Sequence, residues 1–449
     1  MKKHIILLGI LSLMSLSGLT GCGSSGLTTS DTIYTKTPVF DLSNPDDVLS
    51  IQTELKGNIT SIKCGRVALS TYSYTDGVLN LKGEEVKTIP AGEKELTIKT
   101  SEKSYKISIM VCTKVIKTAQ EFQDINNNLT GVYVLGNDID LSTISNFEPL
   151  GYFYTETDAH NSYFHGILDG NGYTIKNAKV SFSSDTATNK SNYQGSYSFT
   201  NAAHQAGDNI GIFQIIGSSG IVRNVIFKDC EVNARTIGGI IAGNCSGTIE
   251  NCVIDGGKVN ISTHFWDDDC NVGCIAGICA GSGVINNVIS TAKATITGQY
   301  VDWSDEYVGQ VATGGEHEND SDPYWTFWGA DKVKTGTSDK LIDSNGHNTN
   351  GVYSGVGKCW GSVSNSYSLS YDVVPYNGTK RSVDFGQTHL AVNKAASGDS
   401  NMGTLSDCYT KTVTELKDSS LYSNYNTDVW NITNGKIPNI KAIYPTISK

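Results

Sequence analysis

The densest collection of recognition chemistry in the chain lies between residues 298 and 330. Tyr300, Trp303, Tyr307, Tyr324, Trp325, Phe327 and Trp328 are interspersed there with Asp302, Asp305, Glu306, Glu316, Glu318, Asp320 and Asp322. Aromatic rings not needed in a core offer flat faces to sugar rings, and carboxylates accept bonds from hydroxyls or hold calcium. On that chemistry Trp303, Trp325 and Trp328 are candidates for ring stacking, with Asp302, Asp305 and Glu306 as hydroxyl or calcium partners. The competing reading makes the rings the insert's own core, because a loop this long needs one.

Other constellations are thinner. His264-Phe265-Trp266-Asp267-Asp268-Asp269-Cys270, followed by Cys274, holds metal-ligand types, but four well-spaced zinc ligands cannot be counted. Cys274 aligns with Ile240, an inward strand position, and the three aspartates suit calcium or a solvated turn. A lyase acting on acidic sugars needs basic groups, and the arginines are only Arg66, Arg223, Arg235 and Arg381. Arg223 falls within a repeat, where its side chain should face solvent. A hydrolase needs two carboxylates across a cleft, and Asp267 to Asp269 with Glu306 or Glu316 are the acids available for one.

The elements that must hold these groups are strands. Charged residues make up 18% of the chain, while 47 glycines and 22 tyrosines suit many short strands with tight turns. The one helix predicted is Thr118 to Leu129, opened by a Thr118/Glu121 capping box and placed to cover the open end of the domain that begins there. A net charge of −11 argues against nucleic acid and other polyanions as partners. Residues 32–113 alternate with a period of two, as in Leu96 and Ile98 or Tyr105, Ile107, Ile109 and Val111, and Asp76-Gly77 marks a hairpin. That pattern predicts a β-sandwich.

From residue 114 to 449 a short pattern returns: glycine, any residue, aliphatic, any residue, Asn or Asp. It reads Gly220 to Asn224, Gly247 to Asn251, Gly283 to Asn287, Gly361 to Asn365 and Gly403 to Asp407, with Gly172 to Asn177 as a looser first copy. Glycine-rich apolar runs such as Gly239-Ile240-Ile241-Ala242-Gly243 lie between copies. Two strand types per repeat predict a parallel β-helix in which Asn177, Asn224, Asn251, Asn287, Asn365 and Asp407 form a ladder at one corner. The same alignment sets Cys245 over Cys279 one coil apart, a separation that permits a disulfide without requiring it. Most of the cysteines are expected to be buried and reduced.

This region resembles the GLUG-repeat bacterial surface proteins of the pectin-lyase-like class. The resemblance rests on Phe164 to Ile175, on the repeats, on Gly131 to Leu135 with Asp138 to Leu141, and on Trp430 with Gly435 to Pro438. It implies an all-β protein with a right-handed parallel β-helix and long loop insertions, and surface display or adhesion with no shared catalytic motif. Asp47 to Val111 resembles, more loosely, the immunoglobulin-like modules found beside carbohydrate-active domains. At the N-terminus a basic start, an apolar run from Ile5 to Leu16 and Leu19-Thr20-Gly21-Cys22 resemble a lipoprotein signal. That implies cleavage after residue 21, lipid on Cys22, a flexible tether over 22–31, and an extracytoplasmic address with membrane lipid as a partner. The expected function is a non-catalytic surface protein binding glycan or another cell surface. A polysaccharide hydrolase or lyase, and a structural stalk, are the alternatives.

Overall fold

The computed structural model describes residues 30–32, 37–44, 46–145, 147–151, 163–181, 209–234, 237–261, 264–265, 271–296, 300–301, 352–373, 381–388 and 403–444. The chain is all-β, and the described residues hold only a few short helical turns.

Near the N-terminus two sheets pack face to face. One holds Ile59–Cys64, Gly92–Thr100 and Ser104–Cys112, and the other Val48–Gln52, Tyr72–Thr75 and Val78–Lys82. Alternation explains the packing, because Leu49, Ile51, Leu79 and Leu81 from one sheet meet Ile62, Leu96, Ile98 and Ile107 from the other in one core. Asp76 and Gly77, at φ 51° and 77°, make the turn that joins Tyr72–Thr75 to Val78–Lys82. Cys112 has the opposite phase to Val111. It is buried against the second unit with Met110, Val115, Val132 and Val134.

After that junction the chain winds through repeated passes, each paired in parallel with the next; the short pairs Asp372–Val373 with Arg381–Ser382 and Trp430–Asn431 with Asn439–Ile440 are antiparallel. An 11-stranded sheet runs along one side, and five- and four-stranded sheets line the others. One pass contributes Asn209–Ile210, Phe213–Ile216, Ile221–Arg223, Ile226–Lys228 and Glu231–Ala234 before the next begins at Ile237. The sequence predicts only two strand types per repeat. The extra ones are two to four residues long, too short to carry a pattern of their own. Ala119–Gln123 closes the first end, with the Thr118/Glu121 capping box formed and Phe122 and Ile125 in the core.

The repeat motif has a separate physical cause at each position. Its aliphatic residue forms an inward file, Leu168, Val222, Ile249, Ile285, Val363 and Leu405, paired one pass to the next. Its glycine sits where passes nearly touch: a Cβ on Gly247 would lie 2.3 Å from the Gly220 carbonyl oxygen, and one on Gly361 2.3 Å from that of Gly283. Its Asn or Asp occupies a left-handed bend, with φ from 46° to 57° at Asn224, Asn251, Asn287, Asn365 and Asp407. The register of neighbouring strands sets these five in one file.

Asn177 lies elsewhere. It pairs with Asp229 at a second corner, where Asp229 and then Gly256 are also left-handed, at φ 50° and 70°. The true first copy is Gly166 to Gly170, with Gly170 facing Asn224. Both corners need the same backbone bend, so residue type alone does not distinguish them. The side-chain ladder is mixed as well. Asn287 Nδ2 donates to Asn251 Oδ1 at 3.1 Å, whereas Asn365 Nδ2 donates to Asn286 Oδ1 and Asn224 Nδ2 to Asp169.

Cys245, Cys279 and Cys359 stack in one file, as their strands pair residue for residue. All nine described cysteines are free thiols, so Cys245 and Cys279 are not bridged. In-register parallel strands hold equivalent Cβ atoms about 4.8 Å apart with side chains pointing the same way, beyond the roughly 3.5–4.5 Å a disulfide prefers.

Thr404–Lys411 is the last strand of the large sheet. The chain then returns along the outside of that sheet toward its beginning. Leu416, Tyr422, Tyr425, Trp430 and Ile440 from this return segment cover an outward apolar file of Ile226, Val253, Ile289 and Tyr367.

Candidate functional site

Where the return segment meets both units, a cleft of about 520 Å³ opens. One wall carries Glu93, Lys94 and Glu95 from the strand Gly92–Thr100. The other carries Asp169, Arg223 and Glu250, which are partners on three successive passes of the large sheet. Val429 and Tyr444 of the return segment complete it.

Asp169 is wholly buried and acts as the hub. Its Oδ2 accepts from Arg223 Nε and from the Tyr444 hydroxyl, both at 2.7 Å. Its Oδ1 accepts from Asn171 N at 3.0 Å, and Asn224 Nδ2 reaches both oxygens at 3.1–3.2 Å. Arg223 also donates through Nη2 to Glu93 across the cleft, while Glu250 Oε1 lies 4.0 Å from Nη1. A guanidinium fork suits this work, because it can serve several carboxylates at once.

Electrostatics follow from burial and from neighbours. Burial opposes the charge of Arg223, but Asp169, Tyr444 and Glu93 outweigh it and hold the guanidinium above its ordinary range. Burial pushes Glu250 upward, and the negative Asp169 and Glu93 add to that, with Arg223 in partial opposition. Burial and then Asp169 also raise the Tyr444 phenol. One polar atom is left over: Asn224 lines the cleft, and its buried Oδ1 meets no donor among the described residues.

The Glu250 shift gives a testable pH dependence. A carboxyl with a raised folded-state pKa binds its proton more tightly in the folded chain than in the unfolded one. Its contribution is therefore fully present below the ordinary value of 4.5 and is lost as pH rises through the folded pKa. Glu250→Gln should thus melt above the parent at pH 7, with the difference closing below about pH 4. Thermal melts across that range check it, and a variant that melts lower at pH 7 contradicts the assigned direction.

Cys22, Trp303, Trp325, Trp328, Asp302, Asp305 and Glu306 lie outside the described residues, as do Asp267 to Asp269 and Glu316. Asn224 and Asn251 of the ladder line the cleft. Arg223 corrects an expectation: its side chain is 16% exposed rather than solvent-facing. It does point outward from its strand, but the first unit and the return segment cover that face. Sequence reasoning misses Asp169, Glu93, Glu250 and Tyr444 for the same reason. Among the described residues no group of three or more His, Cys, Asp and Glu is placed to hold a metal ion. No helix there is long and apolar enough to cross a membrane.

Among curated proteins, Halomucin of Haloquadratum walsbyi is 32% identical over 140 residues. That stretch is 30% of this chain and 1% of Halomucin, so the likeness is partial. No family profile matches the chain. No solved structure matches it.

Proposed function

We propose that this chain is a lipid-anchored protein of a bacterial surface that binds glycan or a neighbouring surface without catalysis. In this reading residues 32–113 are an immunoglobulin-like module, and residues 114–449 a right-handed parallel β-helix of the GLUG type. The five-pass file of glycine, aliphatic and Asn or Asp supports the architecture, and the lipoprotein-like ending at Cys22 supports the anchor. The partial likeness to Halomucin is weakly in keeping with a cell-surface protein.

The observation that carries the non-catalytic reading is the state of Asp169. Both of its oxygens are committed to Arg223, Tyr444, Asn171 and Asn224, so the most buried acid of the cleft is a structural strut. A glycoside hydrolase is the second reading. It is favoured by the raised carboxyl of Glu250, which shares the cleft with Glu93.

Two measurements test the proposal. Cys22→Ala should move the protein from the membrane to the soluble fraction; equally firm membrane binding sinks the anchor. A glycan array should retain the soluble form on at least one neutral glycan, with no reducing ends released from it. Release of reducing ends that Glu250→Gln abolishes establishes the hydrolase instead.

A further inference from the structure

The cleft between the first unit and the stacked passes has features that the latch around Asp169 does not need. Among the described residues Glu250 keeps only a 4.0 Å contact with Arg223, although burial and two nearby acids already work against its charge. Asn224 is 5% exposed, and its Oδ1 lacks a donor among the described residues, which costs free energy unless another group supplies one. Donors and acceptors therefore share one small space, Arg223 and Lys94 supplying the former, Glu250 and Asn224 the latter. Val429 and Ile443 add apolar wall beside them.

We propose that this cleft is a binding site for a single neutral pyranose unit of a glycan, and this rests on the glycan-binding reading above. A pyranose presents hydroxyls that donate and accept around its rim and C–H groups on its faces. Glu250 accepts hydrogen bonds from hydroxyls, Arg223 and Lys94 donate to ring or hydroxyl oxygens, and Val429 packs on a C–H face. The Asn224 oxygen is met by a hydroxyl, or by a water that the sugar holds in place. A volume of about 520 Å³ has room for one ring with part of its neighbour, in the range usual for small-ligand sites. Four carboxylates (Glu93, Glu95, Asp169 and Glu250) against two cations make the site net negative. Neutral sugars are therefore favoured over uronates.

The experiment titrates the full mature chain with the methyl glycosides of glucose, galactose, mannose and N-acetylglucosamine, with methyl glucuronide as the charged control. Saturation-transfer NMR and calorimetry give binding for the parent, Glu250→Ala and Val429→Trp, and thermal melts confirm that each is folded. Val429→Trp fills the cleft and Glu250→Ala removes an acceptor, so the two report independently. At least one neutral glycoside should bind the parent, at least about tenfold more weakly in each folded variant. The glucuronide should bind more weakly than its neutral counterpart. Glycoside binding unchanged in both variants overturns the site while leaving the glycan-binding function standing. A preference for the glucuronide overturns the ligand class. No binding of any glycoside, together with an empty glycan array, overturns both the site and the function on which it rests.

Discussion

Asp169→Ala should lower folding stability by about 3–5 kcal/mol, the usual cost of stranding one partner of a buried ion pair. Arg223 would keep its charge in a place where 16% of its side chain meets solvent, and the Tyr444 hydroxyl and Asn224 amide would lose their acceptor. Glu93 cannot make up the loss, because its side chain is 60% exposed and the pair it forms with Arg223 is screened by water. Urea unfolding followed by circular dichroism measures the loss, and hydrogen exchange over 167–176 and 221–228 locates it. A double variant, Asp169→Leu with Arg223→Met, should recover most of the stability, since removing both charges removes the unpaired one. A single-variant loss below about 1 kcal/mol would show that water reaches the pair and that the hub is not buried as described.

Trp430→Ala should cost a similar amount, about 3–5 kcal/mol, but in a different place. The indole is 1% exposed, packs 4.8 Å from the Tyr425 ring centroid, and donates from Nε1 to Asn251 Oδ1 at 3.1 Å. Its removal opens a cavity over Ile226, Val253 and Ile289, the outward file that the return segment covers. Each pass of a stacked fold contacts mainly its neighbours, so the damage should stay local. Limited proteolysis should cut the variant between Lys411 and Ile440 while the stacked passes resist. Cleavage spread evenly along the chain would mean that the segment is part of the core rather than a cover on it. Trp430→Phe should restore most of the packing but not the bond to Asn251.

The repeat shows what short-range chemistry makes legible. A glycine is needed wherever the next pass would collide with a Cβ, as at Gly247 and Gly361, and that need writes itself into sequence at every pass. The left-handed bend at Asn224, Asn251 and Asn287 does the same for asparagine. Asn177 escapes the pattern because a second corner has the same requirement. The register around it depends on strand pairing, which residue type does not encode. The outward file was readable in principle: Val225-Ile226-Phe227 and Cys252-Val253-Ile254 are buried on both faces, and three consecutive apolar residues in a strand imply that both sides are covered.

The sequence by itself determined the all-β class, the alternation that pairs the first two sheets, the Asp76-Gly77 turn, the helical cap after Thr118 and the positions that repeat from pass to pass. Each of these comes from a local rule about period, backbone angle or capping, so a window of a few residues contains the whole cause. Only the tertiary structure decided the cleft. Arg223 meets Asp169 across 54 residues and Glu93 across 130, and Tyr444 reaches Asp169 across 275. Whether an outward arginine is solvated or locked in an ion cluster depends on what covers its strand. Here the cover comes from both ends of the described chain, and no local pattern records that meeting.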